Sequence, residues 1–400
     1  MPLWIIHKTE IPLQQNKYLE FKLKIKLNIL VERNNLTKGF TMRTIGTAAF
    51  GLRAPIFKQG DDVAKIVTDI VLNSGIEIKD KDIVAITEAV MGRTQGNYAT
   101  VDEIAENIKH LTNNAKSVAV VFPIFSRNRF AILLRGIARS ADKITVLLST
   151  PSDEVGNVCK NHPFTGMNYD EYYKGIIEEE GKTAEVYIDN DVNILKDKNI
   201  DAFIAADIHT KDITKQQLLK ISNNVIDLTD ILHEKSEHGL LGSNKATEEK
   251  VKLFPTREYC LPIIKTIQKN ILEKTGKHIE VMIYGDGCFK DPVGGIWEFA
   301  DPVVSPAFTE GLDGTPNELK LKYLADNKFQ GLSGEELQNA IKNDIKEKDA
   351  SLKGNMVSQG TTPRRITDLL GSLCDLVSGS GDKGTPIVYI QGYFDNYANE

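Results

Sequence analysis

The sequence predicts an α/β fold in which mixed sheets are flanked by helices. From residue 61 to residue 151, segments with helical periodicity alternate with short β-rich segments. A clear strand enters a tight turn near residue 285, and the chain closes with a helix, a glycine-rich loop and a strand. Such alternation of helices and strands is typical of an α/β sheet.

Each element of the first half has its own supporting pattern. The helix that begins in GDDVAKIVTDIV places Val63, Ile66, Val67 and Ile70 on one face, with acidic residues at its start. The segment DIVAITEAV, residues 82–90, predicts a strand, and the TVDEIAENIKHL segment opens with the spacing of a capping box. The segments SVAVVFP, SRNRFAILLRGIARSA and KITVLLSTP then predict a strand, a helix and a further strand.

The second half gives weaker signals. Short strands are predicted at AEVYI, AFIAAD and NVIDL, followed by a long helix over residues 257–274 and a strand in HIEVMIYGDG. Two amphipathic helices follow, over residues 317–326 and 333–348. The last unit is the helix TPRRITDLLGSLCDLV, the glycine-rich loop and the strand PIVYIQG. The chain has no internal repeat, which disfavours a solenoid.

The composition indicates a soluble globular protein. The 400 residues are 41% hydrophobic and 26% charged, which allows two or three domains. A net charge of −6 disfavours a nucleic-acid partner. The four cysteines form no CxxC or Cys/His cluster, which favours a reducing, cytoplasmic compartment. No segment approaches the ~20 apolar residues of a membrane span, so no membrane insertion is expected.

Residues 1–41 differ from the rest because they are rich in Lys, Asn and Leu without clear periodicity. The Lys-Gly codons upstream of Met42 can spell a purine run at ribosome-binding distance. We therefore hypothesise that the natural chain starts at Met42 and that residues 1–41 are a non-native or disordered extension. The intact mass of the natively expressed protein tests this expectation.

The loop SGSGDKG, residues 378–384, allows two interpretations. It is not a Walker A motif, because no GxxxxGK[ST] occurs and the glycines follow a helix. Its backbone N–H groups could form a nest for phosphates, with Lys383 adding positive charge. Alternatively, it is a plain connection that begins with a glycine C-cap, and the spacing alone favours this second interpretation.

Two clusters of charged residues are candidates for phosphate chemistry. Four carboxylates, Asp286, Asp291, Glu298 and Asp301, fall within sixteen residues and could hold a metal ion or simply be solvated. Arginines at positions 127, 129, 135 and 139, and a second pair at 364 and 365, could bind phosphate or carboxylate or form a solvated helix face. An NAD-type Rossmann enzyme is disfavoured, since no early GxGxxG follows a strand.

Four segments resemble the coenzyme F420-0:L-glutamate ligase family, the γ-glutamyl ligases of the deazaflavin coenzyme. GLRAPIFKQGDDVAKIV and DIVAITEAVMGRTQG resemble the family's opening, where Thr87 and Gly96 match a Thr-Ser-Lys-x-x-Ser-Lys-x-Glu-Gly motif and Arg93 replaces its second Lys. GKHIEVMIYGDGCFKDPVGG resembles the family's strand and metal-binding Asp turn. LLGSLCDLVSGSGDKGTPIVYIQG resembles its last helix, guanine-nucleotide loop and closing strand.

The resemblance implies a γ-glutamyl ligase-like fold with two subdomains. Residues 42–156 would form its N-terminal part, residues 157–277 a divergent or inserted α/β region, and residues 278–400 its C-terminal part. It implies a GTP-dependent, amide-forming ligase that needs Mg²⁺ or Mn²⁺ and joins L-glutamate to a small carboxylate acceptor. A homodimer is implied as well.

The resemblance also assigns site residues, although no catalytic residue can be named. Asp286 would bind the metal. The nucleotide would contact Thr87, Glu88, Arg93, Ser378, Gly379, Ser380, Gly381, Asp382, Lys383 and Gly384.

Two departures from the family motifs leave alternatives open. Leu241 stands at the position of a second metal-binding Asp, and Glu88 and Ala89 stand at a Ser and a Lys. Glu88 could supply the missing carboxylate. The acceptor could be a folate or pterin, ATP could replace GTP, or the chain could be a non-catalytic nucleotide-binding or regulatory homologue.

Overall fold

The computed structural model describes residues 45–126, 129–151, 158, 161, 166–208, 210–285, 288–290, 297–299, 305–315, 318–348, 365–379 and 381–398, with the backbone alone at 288–290 and 297–299. The proposed extension, residues 1–41, lies outside this set.

Helices occur along the whole described chain. They are α1 (Val63–Leu72), α2 (Glu88–Gln95), α3 (Val101–Leu111), α4 (Arg129–Ser140), α5 (Tyr169–Glu179), α6 (Lys211–Leu218), α7 (Arg257–Thr275), α8 (Leu321–Tyr323), α9 (Gly334–Glu347) and α10 (Ile366–Ser378).

The strands form two larger and two smaller sheets. They are β1 (Ala48–Leu52), β2 (Ile83–Thr87), β3 (Tyr98–Thr100), β4 (Ser117–Val121), β5 (Lys143–Leu148), β6 (Thr183–Ile188), β7 (Ala202–Ala205), β8 (Val225–Asp227), β9 (Asn244–Thr247), β10 (Lys250–Lys252), β11 (Glu280–Tyr284), β12 (Cys288–Lys290), β13 (Trp297–Phe299), β14 (Ala307–Phe308) and β15 (Ile387–Gln391).

The first sheet has five strands in the order β1-β15-β2-β11-β14. β2 and β11 run parallel, whereas β15 is antiparallel to both of its neighbours, β1 and β2. The last strand of the chain is thus inserted between the first two. This arrangement joins strands from near the two ends of the described chain in one sheet.

Helices cover both faces of the first sheet. Val84 and Ile86 of β2 pack in one buried cluster with α1 and α7, whereas Ile83 and Ala85 pack in another with α10. Successive side chains of a strand point to opposite faces, so a strand buried on both faces is apolar throughout. This explains why β2 shows no alternation of polar and apolar residues.

The second sheet is entirely parallel, with the strand order β6-β5-β4-β7-β8. From β4 the chain proceeds to β5 and β6 on one side and then returns to β7 and β8 on the other. This is the order of a doubly wound sheet, and its direction reverses between β4 and β7.

Helices α3, α4 and α5 pack on one face of the second sheet, while Leu195 and Leu218 belong to the cluster on its other face. Helices α3 and α4 approach closely at Gly136, where a Cβ atom would lie 2.7 Å from Cγ2 of Ile104. Glycine therefore permits this packing distance.

The smaller sheets are β3-β10-β9 and the hairpin β12-β13. Residues 321–348 belong to a compact unit separate from 47–320 and the described part of 349–394. Within residues 321–348, α8 continues into a π-helical turn at Leu324–Lys328, and an ion pair joins Lys328 to Asp344 of α9.

The predicted α/β class and the capping box of Thr100 and Glu103 are confirmed. The predicted strand over residues 82–90 is wrong beyond Thr87, because the Thr87 hydroxyl accepts a hydrogen bond from Ala89 N and caps α2. A helix is predicted over residues 317–326, but among the described residues of this range only those of α8 are α-helical.

The predicted boundary between residues 156 and 157 falls inside the second sheet, whose strands come from both sides of it. None of the helices in the described stretches is both long enough and apolar enough to traverse a lipid bilayer.

Candidate functional site

Four chain segments meet at one edge of the first sheet. β2 and β11 both end there, with Thr87 opposite Tyr284. β15 begins there, with Ile387 opposite Ile86, and β1 ends there, with Leu52 opposite Ile387. Because these registers are fixed by the strand pairing, the residues that follow β1, β2 and β11 and precede β15 lie next to one another.

Thr87 links two of these segments directly. Its backbone N–H donates to the carbonyl oxygen of Pro386, in the loop before β15, at 3.0 Å. The loop before β15 is tied to the segment after β1 as well, since Ala54 N donates to the Gly384 carbonyl at 3.0 Å. The structure therefore brings Thr87 and the glycine-rich loop together, as the nucleotide prediction requires.

The glycine-rich loop has a closed base and an exposed tip. Helix α10 ends at Ser378, and Gly379, with φ 62° and ψ −147°, donates its N–H to Asp375 O at 3.2 Å. The base is closed by Thr385 Oγ1, which donates to the Ser378 carbonyl at 2.9 Å. Gly379, with its positive φ, is the glycine C-cap that is expected if the loop is a plain connection.

The tip of this loop is solvent-exposed from Gly381 to Gly384. Gly381–Lys383 form a single 3₁₀ turn, and Gly384 has φ 65°. A Cβ atom on Gly379 would lie 2.7 Å from the Lys383 Nζ, so this ammonium group covers the glycine. One loop thus contains both a glycine C-cap and an exposed, positively charged tip. Ser380, another predicted nucleotide contact, lies outside the described residues.

Glu88, the first residue of α2, is buried and forms an ion pair with Lys252 of β10. Both side chains are nearly inaccessible, with 3% of Glu88 and 11% of Lys252 exposed. This pair connects the end of β2 in the first sheet to the small β3-β10-β9 sheet. The Glu88 carboxylate, a candidate metal ligand, is therefore already paired with a cation.

Arg93 lies on the last turn of α2, about 9 Å of helical rise beyond Thr87. Its side chain is exposed, and its Nε donates to the Phe57 carbonyl oxygen at 2.6 Å. Arg93 thereby holds the C-terminal end of α2 against the segment that follows β1.

The metal prediction depends on residues that lie mostly outside the described set. Asp286, Asp291 and Asp301 are outside it, and Gly285, which is buried, is the last described residue after β11. Leu241 is buried in the core of the second sheet. Within the described stretches, no group of three or more His, Cys, Asp or Glu side chains could hold a metal ion.

Two arginines of α4, Arg135 and Arg139, bind carboxylates of the protein itself. Arg135 and Arg139 both contact Glu180, at 2.6 and 2.7 Å, and both also contact Glu249. These two guanidinium groups therefore neutralise internal carboxylates. Of the second candidate pair, Arg365 pairs with Asp368 at 3.0 Å, and Arg364 lies outside the described residues, as does Arg127.

Burial acts to raise the pKa of Glu180, but hydrogen bonds from Arg139 and Arg135 outweigh it and hold this pKa below its ordinary value. A lowered carboxyl pKa contributes stability that is present above the unfolded-state pKa and lost as the pH falls through the folded-state pKa.

We expect Glu180→Gln to lower the free energy of unfolding by about 2 to 3 kcal/mol at pH 7, since it removes charge-assisted hydrogen bonds from a side chain that is 10% exposed. The loss should shrink toward zero as the pH falls through the Glu180 titration. Urea denaturation at several pH values measures both effects.

The matched control is Glu178→Gln, whose side chain is 54% exposed and lies 3.7 Å from Lys174. It should change the free energy of unfolding by less than about 0.5 kcal/mol. Equal losses for the two variants at pH 7 would contradict the assigned role of Glu180.

Sequence patterns do not indicate Lys252 as a partner in this region. Its local signal is a lysine between two apolar residues, Val251 of β10 and Leu253 directly after it, which are both fully buried. The lysine and its partner Glu88 are 164 residues apart, so their pairing follows from the fold alone.

Most of the chain is similar to a known protein family. No curated protein gives a significant match to the chain. The family model described as F420-0:Gamma-glutamyl ligase matches residues 51–392, which include the end of β1, all of β2, the segment after β11, the glycine-rich loop and β15. Because this match covers most of the chain, the protein belongs to the F420-0:gamma-glutamyl ligase family, whose activity is γ-glutamyl ligation.

Proposed function

We propose that the protein is a GTP-dependent ligase that joins L-glutamate to a carboxylate of a cofactor-like acceptor through an acyl phosphate. The observation that carries this proposal is the shared edge of the first sheet, where Thr87, the exit of β11 and the loop 378–384 meet. Ligands of open α/β sheets bind beside strand ends of this kind.

The proposed reaction has two steps. An oxygen of the acceptor carboxylate attacks the γ-phosphorus of GTP, and GDP leaves. The amine of L-glutamate then attacks the acyl carbon, phosphate leaves, and the nitrogen loses a proton as the amide forms. Both steps develop negative charge on phosphate oxygens, which fixed N–H donors and cations stabilise.

The exposed tip of the loop suits this task. Small residues allow phosphate oxygens to approach the backbone, and the Lys383 ammonium, which lies over Gly379, provides positive charge. A divalent ion, Mg²⁺ or Mn²⁺, would neutralise phosphate charge, and we assign it to Asp286 by family resemblance. We further propose a cytoplasmic homodimer, which sedimentation analysis tests.

Replacing Gly381 with Val should weaken nucleotide binding by about tenfold or more, because a side chain would block close approach of phosphate to the backbone. A Cβ atom at Gly381 meets nothing within 4 Å, so the variant should fold normally. Gly379→Val should weaken binding too, although its positive φ also strains the backbone. Calorimetric titration with GTP and ATP measures the affinities.

Gly175→Val in α5 is the control, since a Cβ atom there also meets nothing within 4 Å. Its affinity should equal that of the wild type. Unchanged affinity in Gly381→Val would make the loop a plain connection.

A second candidate function is a non-catalytic nucleotide-binding homologue. The specific observations in its favour are the buried, apolar Leu241 at the position expected for a metal ligand and the buried pairing of Glu88 with Lys252. Phosphate release separates the two candidates. A ligase releases phosphate only when both L-glutamate and an acceptor are present, and a panel of deazaflavin, folate and pterin acceptors with GTP or ATP tests this.

A further inference from the structure

Arg53 follows β1 directly, at the edge of the first sheet that carries the proposed nucleotide site. The residue before it, Leu52, pairs with Ile387 of β15. The residue after it, Ala54, donates its N–H to the Gly384 carbonyl at 3.0 Å. Both neighbours of Arg53 are thus held against the chain where the glycine-rich loop enters β15, so the main chain of Arg53 is fixed beside this loop.

The side chains around Arg53 alternate between the two faces of the first sheet. Leu52 and Ala54 both pack against the buried cluster formed with α1 and α7. Ala49 packs against the cluster on the other face, which contains residues of α10. Successive side chains of an extended chain point to opposite faces, so Arg53 lies on the α10 face.

The glycine-rich loop begins on this same face. A Cβ atom on Gly51, the residue that precedes Arg53 in the alternation, would lie 3.3 Å from Cβ of Thr385. Thr385 closes the base of the loop through its hydrogen bond to the Ser378 carbonyl, where α10 ends. The alternation therefore places Arg53 on the side of the sheet from which the loop projects.

The guanidinium group of Arg53 has no partner in the part of the chain that the structure describes. The residue is exposed, and its side chain makes no hydrogen bond or ion pair there. By contrast, Arg135, Arg139 and Arg365 are paired with carboxylates of the protein. The donors of Arg53 are therefore available to a ligand, and a guanidinium group is suited to bidentate binding of phosphate.

The glycine-rich loop has no net charge of its own. Residues 378–384 contain one acidic and one basic residue, Asp382 and Lys383, whose formal charges cancel. A nucleoside triphosphate is a polyanion, and nearby positive charge favours its binding. Arg53 provides, beside the loop, the net positive charge that the loop lacks.

We propose that Arg53 is a phosphate-binding residue whose guanidinium group contacts phosphate oxygens of the nucleotide held by residues 378–384. This proposal rests on the nucleotide site of the proposed function and adds to it a residue from the segment after β1. Because β1 and β15 are adjacent strands, the phosphates would lie between the end of β1 and the loop that enters β15.

Calorimetric titration of the full chain with GTP, GDP and guanosine tests the proposal, with the adenine series in their place if ATP is the nucleotide that binds. Arg53→Gln should weaken the binding of GTP and GDP about tenfold or more, because hydrogen bonds to charged phosphate oxygens are lost. The affinity for guanosine, which has no phosphate, should be unchanged.

Two further measurements identify the nature of the contact. Arg53→Lys should retain more affinity for GTP than Arg53→Gln, because it keeps the charge but loses the bidentate geometry. The difference between the wild type and Arg53→Gln should shrink as the salt concentration rises, since exposed charges are screened. Thermal unfolding should be unchanged in both variants, because the Arg53 side chain has no partner in the described structure.

Arg257→Gln is the matched control. Arg257 is exposed at the start of α7, and its Nη1 donates to the Pro306 carbonyl at 3.4 Å. Pro306 directly precedes β14, which is the outer strand at the other end of the sheet from β1, four strand spacings or about 19 Å away. The variant removes the same charge and should bind GTP as the wild type does.

Unchanged GTP affinity in Arg53→Gln, an equal loss of guanosine affinity, or equal effects of Arg53→Gln and Arg257→Gln would each overturn the proposal and leave Arg53 a solvated surface residue. If Gly381→Val weakens GTP binding and Arg53→Gln does not, the nucleotide site stands without Arg53. If Arg53→Gln weakens GTP binding but no glutamylated product forms, the role of Arg53 stands and the ligase reaction fails. A wild type that binds neither GTP nor ATP would overturn both proposals.

Discussion

Replacing Asp286 with Asn should lower ligase turnover by more than about a hundredfold while leaving the fold intact. Residues that merely orient a metal ligand already change activity 10- to 100-fold, so loss of a ligating carboxylate should have a larger effect. The substitution keeps the shape of the side chain and removes its charge.

The placement of the preceding residues supports this expectation. Tyr284 pairs with Thr87 in register, so the chain leaves β11 at the edge where the glycine-rich loop lies. Hard carboxylate oxygens are the ligands that Mg²⁺ and Mn²⁺ prefer.

Steady-state phosphate release with GTP, L-glutamate and acceptor measures the effect of Asp286→Asn, and thermal unfolding checks the fold. Asp313→Asn, at an exposed position, is the control and should retain full activity. Unchanged turnover in Asp286→Asn would remove this residue from the site.

Replacing Lys252 with Met should lower the free energy of unfolding by about 3 to 5 kcal/mol. The change removes the Lys252 ammonium group from beside the Glu88 carboxylate, which belongs to a residue that is 3% exposed. Removing one member of a buried ion pair is strongly destabilising, whereas replacing the whole pair with apolar residues of similar volume is often close to neutral. The double variant Glu88→Leu/Lys252→Met should therefore recover most of the loss.

Urea denaturation of the single and double variants measures this coupling. Lys250→Met is the matched control, because Lys250 lies on the same strand but is exposed, and it should change stability by less than about 0.5 kcal/mol. Equal losses in Lys252→Met and Lys250→Met would refute a buried ion pair.

The double variant also tests the nucleotide role assigned to Glu88. If it folds as stably as the wild type but binds GTP weakly, Glu88 contributes to the site beyond its structural pairing. If it binds GTP normally, Glu88 serves the fold alone.

Local patterns predicted several individual elements. The capping box of Thr100 and Glu103 identified the start of α3. On the predicted apolar face of α1, Val63 and Val67 are buried, whereas Ile66 and Ile70 are only half-buried. The end of β2 was misplaced, because the β-rich segment continues through Val90 while the Thr87 cap already starts α2. The hydrogen bond that caps α2 sets this boundary, although the β propensity of the residues beyond it favours a longer strand.

The long-range arrangement of strands and side chains could not be predicted from local sequence patterns. The insertion of β15 between β1 and β2, and the pairing of Glu88 with Lys252, join residues that are far apart in the sequence and have no shared local signal. The strands of the second sheet were predicted one by one, but their common sheet crosses the predicted boundary at residues 156 and 157.

Arg135 and Arg139 show the same limit of prediction from sequence. Composition indicated bidentate anion binding, and the structure shows bidentate contacts, but the anions are Glu180 and Glu249 of the protein. Sequence indicated the chemistry of the side chains, whereas only the fold identifies their partners.

The most direct test of the proposed function is the mass of the acceptor after incubation with GTP, Mg²⁺ and isotopically labelled L-glutamate. We expect a product that carries one labelled glutamyl group in amide linkage, formed with equimolar GDP and phosphate and absent without GTP. Nucleotide binding or hydrolysis without any joined product, across deazaflavin, folate and pterin acceptors, would contradict the proposed ligase activity.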